Sequence, residues 1–312
     1  MKKLSYLFLA LLIVACSDDG GDNESNACNG DNPIYLANNG VTIKACEFAN
    51  VGDTGVFNGV TYTVVDEEML REMIANEIYV ARIATTKVTD MSYMFYNAYT
   101  FNQPIGNWDV SNVTNMSYMF LGAEAFNQPI GDWDTSSVTD MQYMFNDADA
   151  FNQPIGDWDV SNVTNMSYMF NSTPFNQPIG NWDVSNVTDM GGMFYSDTAF
   201  NQPIGNWDVS SVTDMNGMFA ISIVFNQDIS SWDVSNVTDM GGMFYYSTIF
   251  NKTIGDWDVS SVTRMDVMFY YAAAFNQNLS SWSVSNVTSC YDFSDGAPLT
   301  EANNPNFTNC NP

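Results

Sequence analysis

The feature that most constrains this chain is a unit of about 25 residues that recurs from Phe101 to residue 293. Its first full copy reads FNQPIGNWDVSNVTNMSYMF, and later copies differ from it at a minority of positions. A period of this size is the signature of a solenoid, in which each repeat buries its apolar face against its neighbours. All eight tryptophans share one register, with steps of 25 residues apart from a single step of 24: Trp108, Trp133, Trp158, Trp182, Trp207, Trp232, Trp257 and Trp282.

Within one repeat the apolar residues change their spacing. Trp108 and Val110 stand two positions apart, as in a short strand with one buried face. Met116, Met119 and Phe120 follow at i, i+3 and i+4, which places them on one side of a helical turn. We therefore predict an α/β solenoid, a right-handed coil with one short parallel β-strand and one short helical turn per repeat. The tryptophans are expected in its core rather than in an exposed platform for sugar stacking.

Stacked repeats place each residue above its own copy, which predicts ladders of identical side chains. A buried column of amides or hydroxyls that bonds backbone groups of adjacent repeats explains this repetition of residues without any ligand. One ladder consists of Asn102, Asn127, Asn152, Asn176, Asn201, Asn226, Asn251 and Asn276. The other consists of Thr114, Thr139, Thr164, Thr188, Thr213, Thr238, Thr263 and Thr288.

The segments that flank the repeats differ from them and are predicted to be caps. Asn58-Gly59 between two β-rich arms is a hairpin signal, and Asp66 precedes a run of helical periodicity. Caps cover the open ends of an apolar stack. The expected organisation is an N-terminal cap of hairpin plus helix over residues 28–79, repeats over 80–293 and a C-terminal cap over 294–312.

Four of the five cysteines fall in two local pairs at opposite ends of the chain. Cys28 and Cys46 bracket the start of the folded part, and Cys290 and Cys310 bracket its end. In an oxidising compartment each pair is expected to form a disulfide. Metal binding by four thiols so far apart in a long stack is the weaker alternative.

The motif WDVSNVT, followed by M-x-x-MF and FNQPIG, resembles the BspA-like family of leucine-rich-repeat-related bacterial surface proteins. The variant is the one common in mycoplasmas and Bacteroidetes, and the resemblance covers about residues 80 to 293. It implies a leucine-rich-repeat-like coil in a secreted or surface-anchored protein that binds a ligand rather than converting it. It names no individual ligand.

The first residues, MKKLSYLFLALLIVAC, indicate a secretory signal peptide over residues 1–15. IVAC resembles a bacterial lipobox, which implies cleavage before Cys16 and lipidation of its thiol; an ordinary signal peptide with an incidental Cys16 is the alternative. The acidic segment 16–27 is expected to be a disordered tether. Asp18 and Asp19 resemble the acidic export signal of surface-exposed Bacteroidetes lipoproteins. The alternative is that they belong to a plain solvated linker. We expect a lipid anchor in the outer membrane, with the chain at the cell surface.

Composition excludes some functions. The formal net charge of −28 would repel phosphate backbones, so nucleic-acid binding is not expected. There is no histidine for acid–base chemistry, no Gly-rich phosphate loop and no G-x-S-x-G motif. We expect no enzyme but an adhesion or ligand-binding module for a protein or glycan. The alternatives are an architectural envelope protein without a ligand and, less favoured, a carboxylate-dependent glycosidase.

An aspartate follows the tryptophan in seven repeats: Asp109, Asp134, Asp159, Asp183, Asp208, Asp233 and Asp258. If the tryptophan faces inward, this aspartate faces outward and forms an acidic column. Two interpretations are open. The column binds calcium or a basic partner, or each Asp-x-Ser unit bonds its own backbone in a turn. Calcium is the only cofactor that we consider.

Tyrosines recur near the M-x-x-MF box. They are better candidates than the tryptophans for contact with a glycan or a protein. They are Tyr93, Tyr118, Tyr143, Tyr168, Tyr195, Tyr245 and Tyr270.

Overall fold

The structure is a computed structural model that describes Cys28 and residues 30–312. The predicted signal peptide, Cys16 and the predicted tether lie outside the described residues. Among the described residues, the regular elements lie between residues 34 and 84 and comprise one helix and two small sheets of two and three strands. They are β1 (Ile34–Leu36), β2 (Ile43–Ala45), β3 (Thr54–Phe57), β4 (Val60–Val64), the helix α1 (Glu67–Ala75) and β5 (Ile83–Ala84).

The predicted hairpin is confirmed. β3 and β4 pair antiparallel, and Phe57 lies opposite Val60 across a two-residue turn. Asn58 and Gly59 both have positive φ, 48° and 77°, as the tight type I′ turn requires. β1 pairs antiparallel with β2 in the second sheet.

The predicted helix is also confirmed. Asp66 is its N-cap and accepts a hydrogen bond from the Met69 amide at 3.0 Å, which satisfies one of the donors left open at a helix start. Leu70 is fully buried, and Met69, Met73 and Ile74 pack against the core of the repeats. α1 therefore covers the N-terminal end of the apolar stack.

The first repeat is joined to the cap by strand pairing and by isolated hydrogen bonds. β5 pairs parallel with β4, and the Ile43 amide donates to the Asn107 carbonyl at 2.9 Å. Both predicted disulfides are confirmed, Cys28–Cys46 in the cap and Cys290–Cys310 at the far end. Within Cys28 and residues 30–312, no helix has the length and apolar character needed to cross a bilayer.

Successive repeats lie in register and bond to each other through the backbone. The Thr114 amide donates to the Thr89 carbonyl at 2.9 Å, and this bond recurs at every later threonine of the ladder. Alternate amides then bond to the following repeat, for example Tyr118 to the Gln142 carbonyl at 2.9 Å. Single parallel bridges join equivalent residues from repeat to repeat: Asp90, Asn115, Asp140, Asn165, Asp189, Asp214, Asp239, Arg264 and Ser289.

The strand predicted for each repeat, around the tryptophan, is absent from the structure. The chain turns on both sides of Trp108 and Val110, because the Trp108 amide bonds the Ile105 carbonyl and the Val113 amide bonds the Val110 carbonyl. Parallel pairing is confined to one residue, at Asn115 in this repeat. In most repeats the alternation of burial is retained although the strand is absent: Trp158 and Val160 are buried and Asp159 between them is exposed.

The predicted helical turn is likewise replaced by tight turns. The Met119 amide bonds the Met116 carbonyl, and Tyr118 and Gly122 have φ of +59° and +69°. An α-helix cannot form here because alternate amides of this segment donate to the next repeat. A helix of so few residues has little stability of its own, so the bonds between repeats prevail. The i, i+3 burial pattern survives because these turns also advance by three residues.

The core consists of columns of identical side chains, and all eight tryptophans are buried, as predicted. Trp133 Nε1 donates to the Ile105 carbonyl of the preceding repeat at 3.2 Å, and the same bond recurs along the column. Phenylalanine rings stack at 5.5 Å between Phe120 and Phe145. The asparagine ladder forms as predicted, but at the surface: the Asn127 amide donates to Asn102 Oδ1 at 3.1 Å.

One core column contains an acidic residue. Its other members are small residues such as Ala148, Thr173 and Ser222, whereas Asp197 has no exposed surface. Its carboxylate accepts hydrogen bonds from the Ala199 and Phe200 amides at 2.8 and 2.9 Å. Burial nevertheless raises the pKa of Asp197 to about 7, since desolvation outweighs these bonds.

The raised pKa predicts an acid-stabilised fold at this site. Because the folded-state pKa lies above the ordinary value of 3.8, the contribution of Asp197 is fully present below about pH 4 and is lost as the pH rises through about 7. Asp197→Ser should therefore raise the free energy of unfolding at pH 8 by up to roughly 4 kcal/mol, with little gain at pH 4.

The measurement is urea unfolding of both proteins across this pH range, with Ser222→Ala as the control from the same column. The difference between wild type and Asp197→Ser isolates this residue from the many surface carboxylates. A difference that does not change with pH would contradict the prediction.

Candidate binding surface

The most regular surface feature is a row of stacked tyrosines, which we call the tyrosine column: Tyr93, Tyr118, Tyr143 and Tyr168. Neighbouring ring centroids are 4.5, 4.8 and 4.7 Å apart, with interplanar angles of 5°, 7° and 11°. These distances match the roughly 4.8 Å between neighbouring hydrogen-bonded strands. The spacing of the repeats therefore sets the spacing of the rings.

Backbone conformation directs these rings outward. Each tyrosine follows the first methionine of the M-x-x-MF box by two positions and has φ between +54° and +59°. This left-handed conformation is uncommon for a bulky residue. Later repeats carry Gly192, Gly217 and Gly242 at the same position, with φ from +60° to +63°, and the last two carry Val267 and Asp292, with φ of +48° and +49°. Glycine is the residue that adopts this conformation without strain.

The stacking determines which parts of the rings can meet a ligand. Ring faces inside the column contact one another, which leaves ring edges and hydroxyl groups outward. Tyr93, at the end of the column, is 50% exposed. The pKa of Tyr118, Tyr143 and Tyr168 is raised, first by burial and then by repulsion from neighbouring phenols and aspartates. These three hydroxyls are therefore protonated at neutral pH, and that of Tyr118 is hydrogen-bonded to its neighbour Tyr93.

The column ends at Gly192, which has no side chain to continue it. A Cβ atom at this position would lie 2.4 Å from Tyr168 Cε1, because the Tyr168 ring covers the glycine. At Gly217 a Cβ atom would meet Tyr195 Cδ2 at 3.6 Å and Ala220 Cβ at 3.9 Å, which are ordinary van der Waals contacts. The two glycines have nearly equal φ, +60° and +62°.

This difference predicts the effect of a matched pair of substitutions. Gly192→Ala and Gly217→Ala carry similar backbone strain, about 1 kcal/mol, but only Gly192→Ala should displace the Tyr168 ring. We expect the near-ultraviolet circular dichroism of the tyrosines to change in Gly192→Ala and to stay close to wild type in Gly217→Ala. Equal spectra for the two variants would show that Tyr168 does not lie over Gly192.

A second aromatic cluster lies in later repeats. Tyr246 and Tyr271 stack at 5.0 Å, and Tyr245 and Tyr270 stack at 5.5 Å. The sequence pattern predicts Tyr245 and Tyr270 but not their neighbours Tyr246 and Tyr271, although the Tyr-Tyr pairs are visible in the sequence. Tyr195, also predicted, belongs to neither row and lies beside Gly217.

A long groove runs along the Gln-Pro-Ile-Gly corner of the repeats. Its volume is about 900 Å³, and Gly131, Gly156 and Asn181 are among the residues that line it. A Cβ atom on Gly156 would lie 2.5 Å from the Pro178 carbonyl oxygen, so glycine permits the close approach of adjacent repeats. The size of the groove makes it a second candidate surface, but its lining presents few aromatic anchors.

The predicted aspartate column adopts the turn chemistry. In each member Oδ1 accepts a hydrogen bond from the amide of the serine two positions later, for example Ser136 to Asp134 at 3.2 Å. The serine hydroxyl also donates, at 2.6 Å in this pair. Hydrogen bonds from serine lower the pKa of the exposed Asp159, Asp208 and Asp258. These members are exposed, as are Asp134, Asp183 and Asp233, whereas Asp109 is buried. The calcium hypothesis stays a prediction.

The aspartates at the bridge position form another acidic row. Burial raises the pKa of Asp189 and of Asp214, and repulsion from other aspartates adds to the effect. The row ends at Arg264, which forms salt bridges with Asp239 at 3.1 Å and Asp266 at 2.9 Å. Across the described part of the chain, no group of three or more His, Cys, Asp or Glu side chains converges as a metal site.

One known family matches the chain. The family described as "Mycoplasma protein of unknown function, DUF285" matches three times, over residues 67–175, 171–253 and 228–306. Together these matches span more than half of the chain. The chain belongs to this family. Membership of DUF285 agrees with the predicted mycoplasma-type tandem repeat. No curated protein and no solved structure matches the chain.

Proposed function

We propose that this DUF285 protein is a cell-surface lipoprotein whose repeats form a right-handed, leucine-rich-repeat-like solenoid of the BspA-like type. In this proposal the solenoid is a non-enzymatic adhesion module, and the tyrosine column is its contact surface. The register of the repeats supports the solenoid, since equivalent backbone groups bond from Asp90 to Ser289 without interruption.

The observation that supports the binding proposal is the row of four stacked tyrosines at one left-handed position of the repeat. A left-handed conformation costs a non-glycine residue roughly 1 to 2 kcal/mol. Four consecutive repeats carry tyrosine there, although three later repeats use glycine. Stacking returns about 0.5 to 1.5 kcal/mol per pair, which offsets the strain only in part. Val267 and Asp292 hold the same position with φ of +48° and +49°, so the strain is not specific to tyrosine. The run of stacked, partly exposed rings is what supports a binding role.

The geometry favours a protein ligand over a glycan. Sugars stack on the faces of aromatic rings, and the faces within the column are occupied by neighbouring rings. Outward edges and hydroxyl groups suit hydrogen bonding and van der Waals contact with a protein surface. Stacking also orders the side chains before binding, which reduces the entropy lost on contact. A row of equivalent contacts adds avidity for a repetitive ligand.

The anchor belongs to the same proposal. Cleavage before Cys16 and lipidation of its thiol would attach the protein to the outer membrane, with residues 16–27 as the tether. The two disulfides support an oxidising compartment. Fatty-acid labelling that persists unchanged in a Cys16→Ala variant would contradict the anchor.

The column itself is tested by removing rings without disturbing the backbone. In Tyr118→Gly/Tyr143→Gly, glycine meets the same left-handed backbone that Gly217 and Gly242 already occupy, so the fold should persist. On an array of extracellular-matrix proteins and glycans, the full chain should bind protein spots, and this variant should bind at least about tenfold more weakly. Tyr118→Phe/Tyr143→Phe separates the contribution of the hydroxyl groups from that of the rings.

Asn181→Ala/Asn206→Ala, in the groove, is the control for the other candidate surface. Loss of binding in this control alone would assign the ligand to the groove. Absence of binding by wild type would favour an architectural role, and hydrolysis of an arrayed sugar would favour a glycosidase.

A further inference from the structure

Asp109 differs from every other member of the aspartate column. The loop between β1 and β2 covers it, so that Asp109 is 2% exposed whereas the six others are exposed. Its Oδ1 accepts hydrogen bonds from the Ser111 amide and hydroxyl, as in the other repeats. Its Oδ2 is buried and has no hydrogen-bond partner. Burial of an unpaired carboxylate oxygen is costly, so this atom requires an explanation.

Asp109 lines a small pocket where the N-terminal cap meets the repeats. The pocket measures about 170 Å³, and Asp134, Asn38 and Asn39 also line it. Asp134 belongs to the next repeat, and its hydrogen bonds with Ser136 use Oδ1. Asn39 Oδ1 is already engaged by the amides of Val41 and Thr42. The oxygen donors left to a ligand are therefore two carboxylate oxygens and the Asn38 amide oxygen.

We propose that this pocket binds one calcium ion, which joins the N-terminal cap to the repeats. Asp109 Oδ2 is the central ligand, Asp134 and Asn38 are the further protein ligands, and water completes the shell of about six to eight oxygens that calcium prefers. The ion compensates the buried charge of Asp109. Two carboxylates with several waters form a weak site, in the range of about 10⁻⁴ to 10⁻³ M that is typical of extracellular modules.

Within the aspartate column, only the position of Asp109 is therefore proposed to bind calcium. The exposed aspartates have solvent to satisfy their second oxygen, whereas Asp109 does not. A site at the seam also has a structural consequence, because it would fix the β1–β2 loop beside β2, which is itself bonded to the repeats from the Ile43 amide to the Asn107 carbonyl and from the Ala45 amide to the Thr86 hydroxyl. Calcium should therefore stabilise the cap in particular.

Lys44 lines the same pocket and is the rival source of positive charge. An ion pair between its ammonium group and Asp109 would compensate the carboxylate without any metal. The experiment must therefore distinguish a metal ion from this lysine. Lys44→Met is the variant that does so, because it removes the charge and retains much of the apolar stem.

The test is calorimetric titration of the purified full chain with calcium chloride at constant ionic strength, with magnesium chloride in parallel. Wild type should take up one calcium ion, and its melting temperature should rise by about 3 °C or more at ten times the Kd. Asp109→Asn and Asp134→Asn should lose both effects. Asp208→Asn, the matched exposed member of the column, and Lys44→Met should keep them.

Terbium luminescence sensitised by tryptophan gives a second readout, since Trp108 lines the pocket. Calcium should displace the terbium signal in wild type and in Asp208→Asn, and the signal should be absent in Asp109→Asn. Unfolding of the variants in chelator confirms that they fold.

Three results would overturn the proposal. One is the absence of calcium uptake by wild type, and another is equal loss of uptake in Asp208→Asn and Asp109→Asn. The last is destabilisation of Lys44→Met with no calcium effect in wild type, which would assign the counter-ion to Lys44.

Discussion

The structure depends on backbone hydrogen bonds between equivalent positions of adjacent repeats. Through them the Thr114 amide reaches the Thr89 carbonyl, and the alternate amides that begin at Met116 reach the repeat that follows. Each such bond fixes the register of two neighbours, so that every side chain lies over its own copy. The tryptophan, phenylalanine and tyrosine columns, the asparagine ladder and the two aspartate rows all follow from that register. A repeat protein of this kind is stabilised mainly by contacts between nearest neighbours.

The same constraint explains why both ends of the repeat stack need a cap. A terminal repeat has bonding groups and apolar side chains on one side without a neighbour. At the N-terminus β4 supplies strand pairing to β5, and α1 supplies apolar cover. At the C-terminus the Cys290–Cys310 disulfide holds the last segment against the stack. The proposed calcium site would add to this stabilisation of the N-terminal end, because it would hold the cap against the first repeats.

The sequence predicted what depends on short-range patterns. The hairpin follows from Asn58-Gly59, the helix start from Asp66, and the burial of the tryptophans from the period. It did not predict the turns that replace the strand and the helix, because spacing at i and i+3 suits a helical turn and a tight turn equally. Hydrogen bonds to the adjacent repeat determine that the tight turn forms rather than the helical turn. The burial of Asp109 was also beyond reach, since it depends on a loop some 70 residues earlier in the chain.

Amide hydrogen exchange tests the central claim most directly. If bonds between repeats hold the stack, amides that donate to the next repeat, such as those of Tyr143 and Phe145, should exchange slowest in the middle repeats and faster toward the ends. The amides of the outward-facing aspartates should exchange quickly along the whole chain. Uniformly fast exchange at Tyr143 and Phe145 would contradict the account, because it would mean that the repeats are not held in register by their backbones.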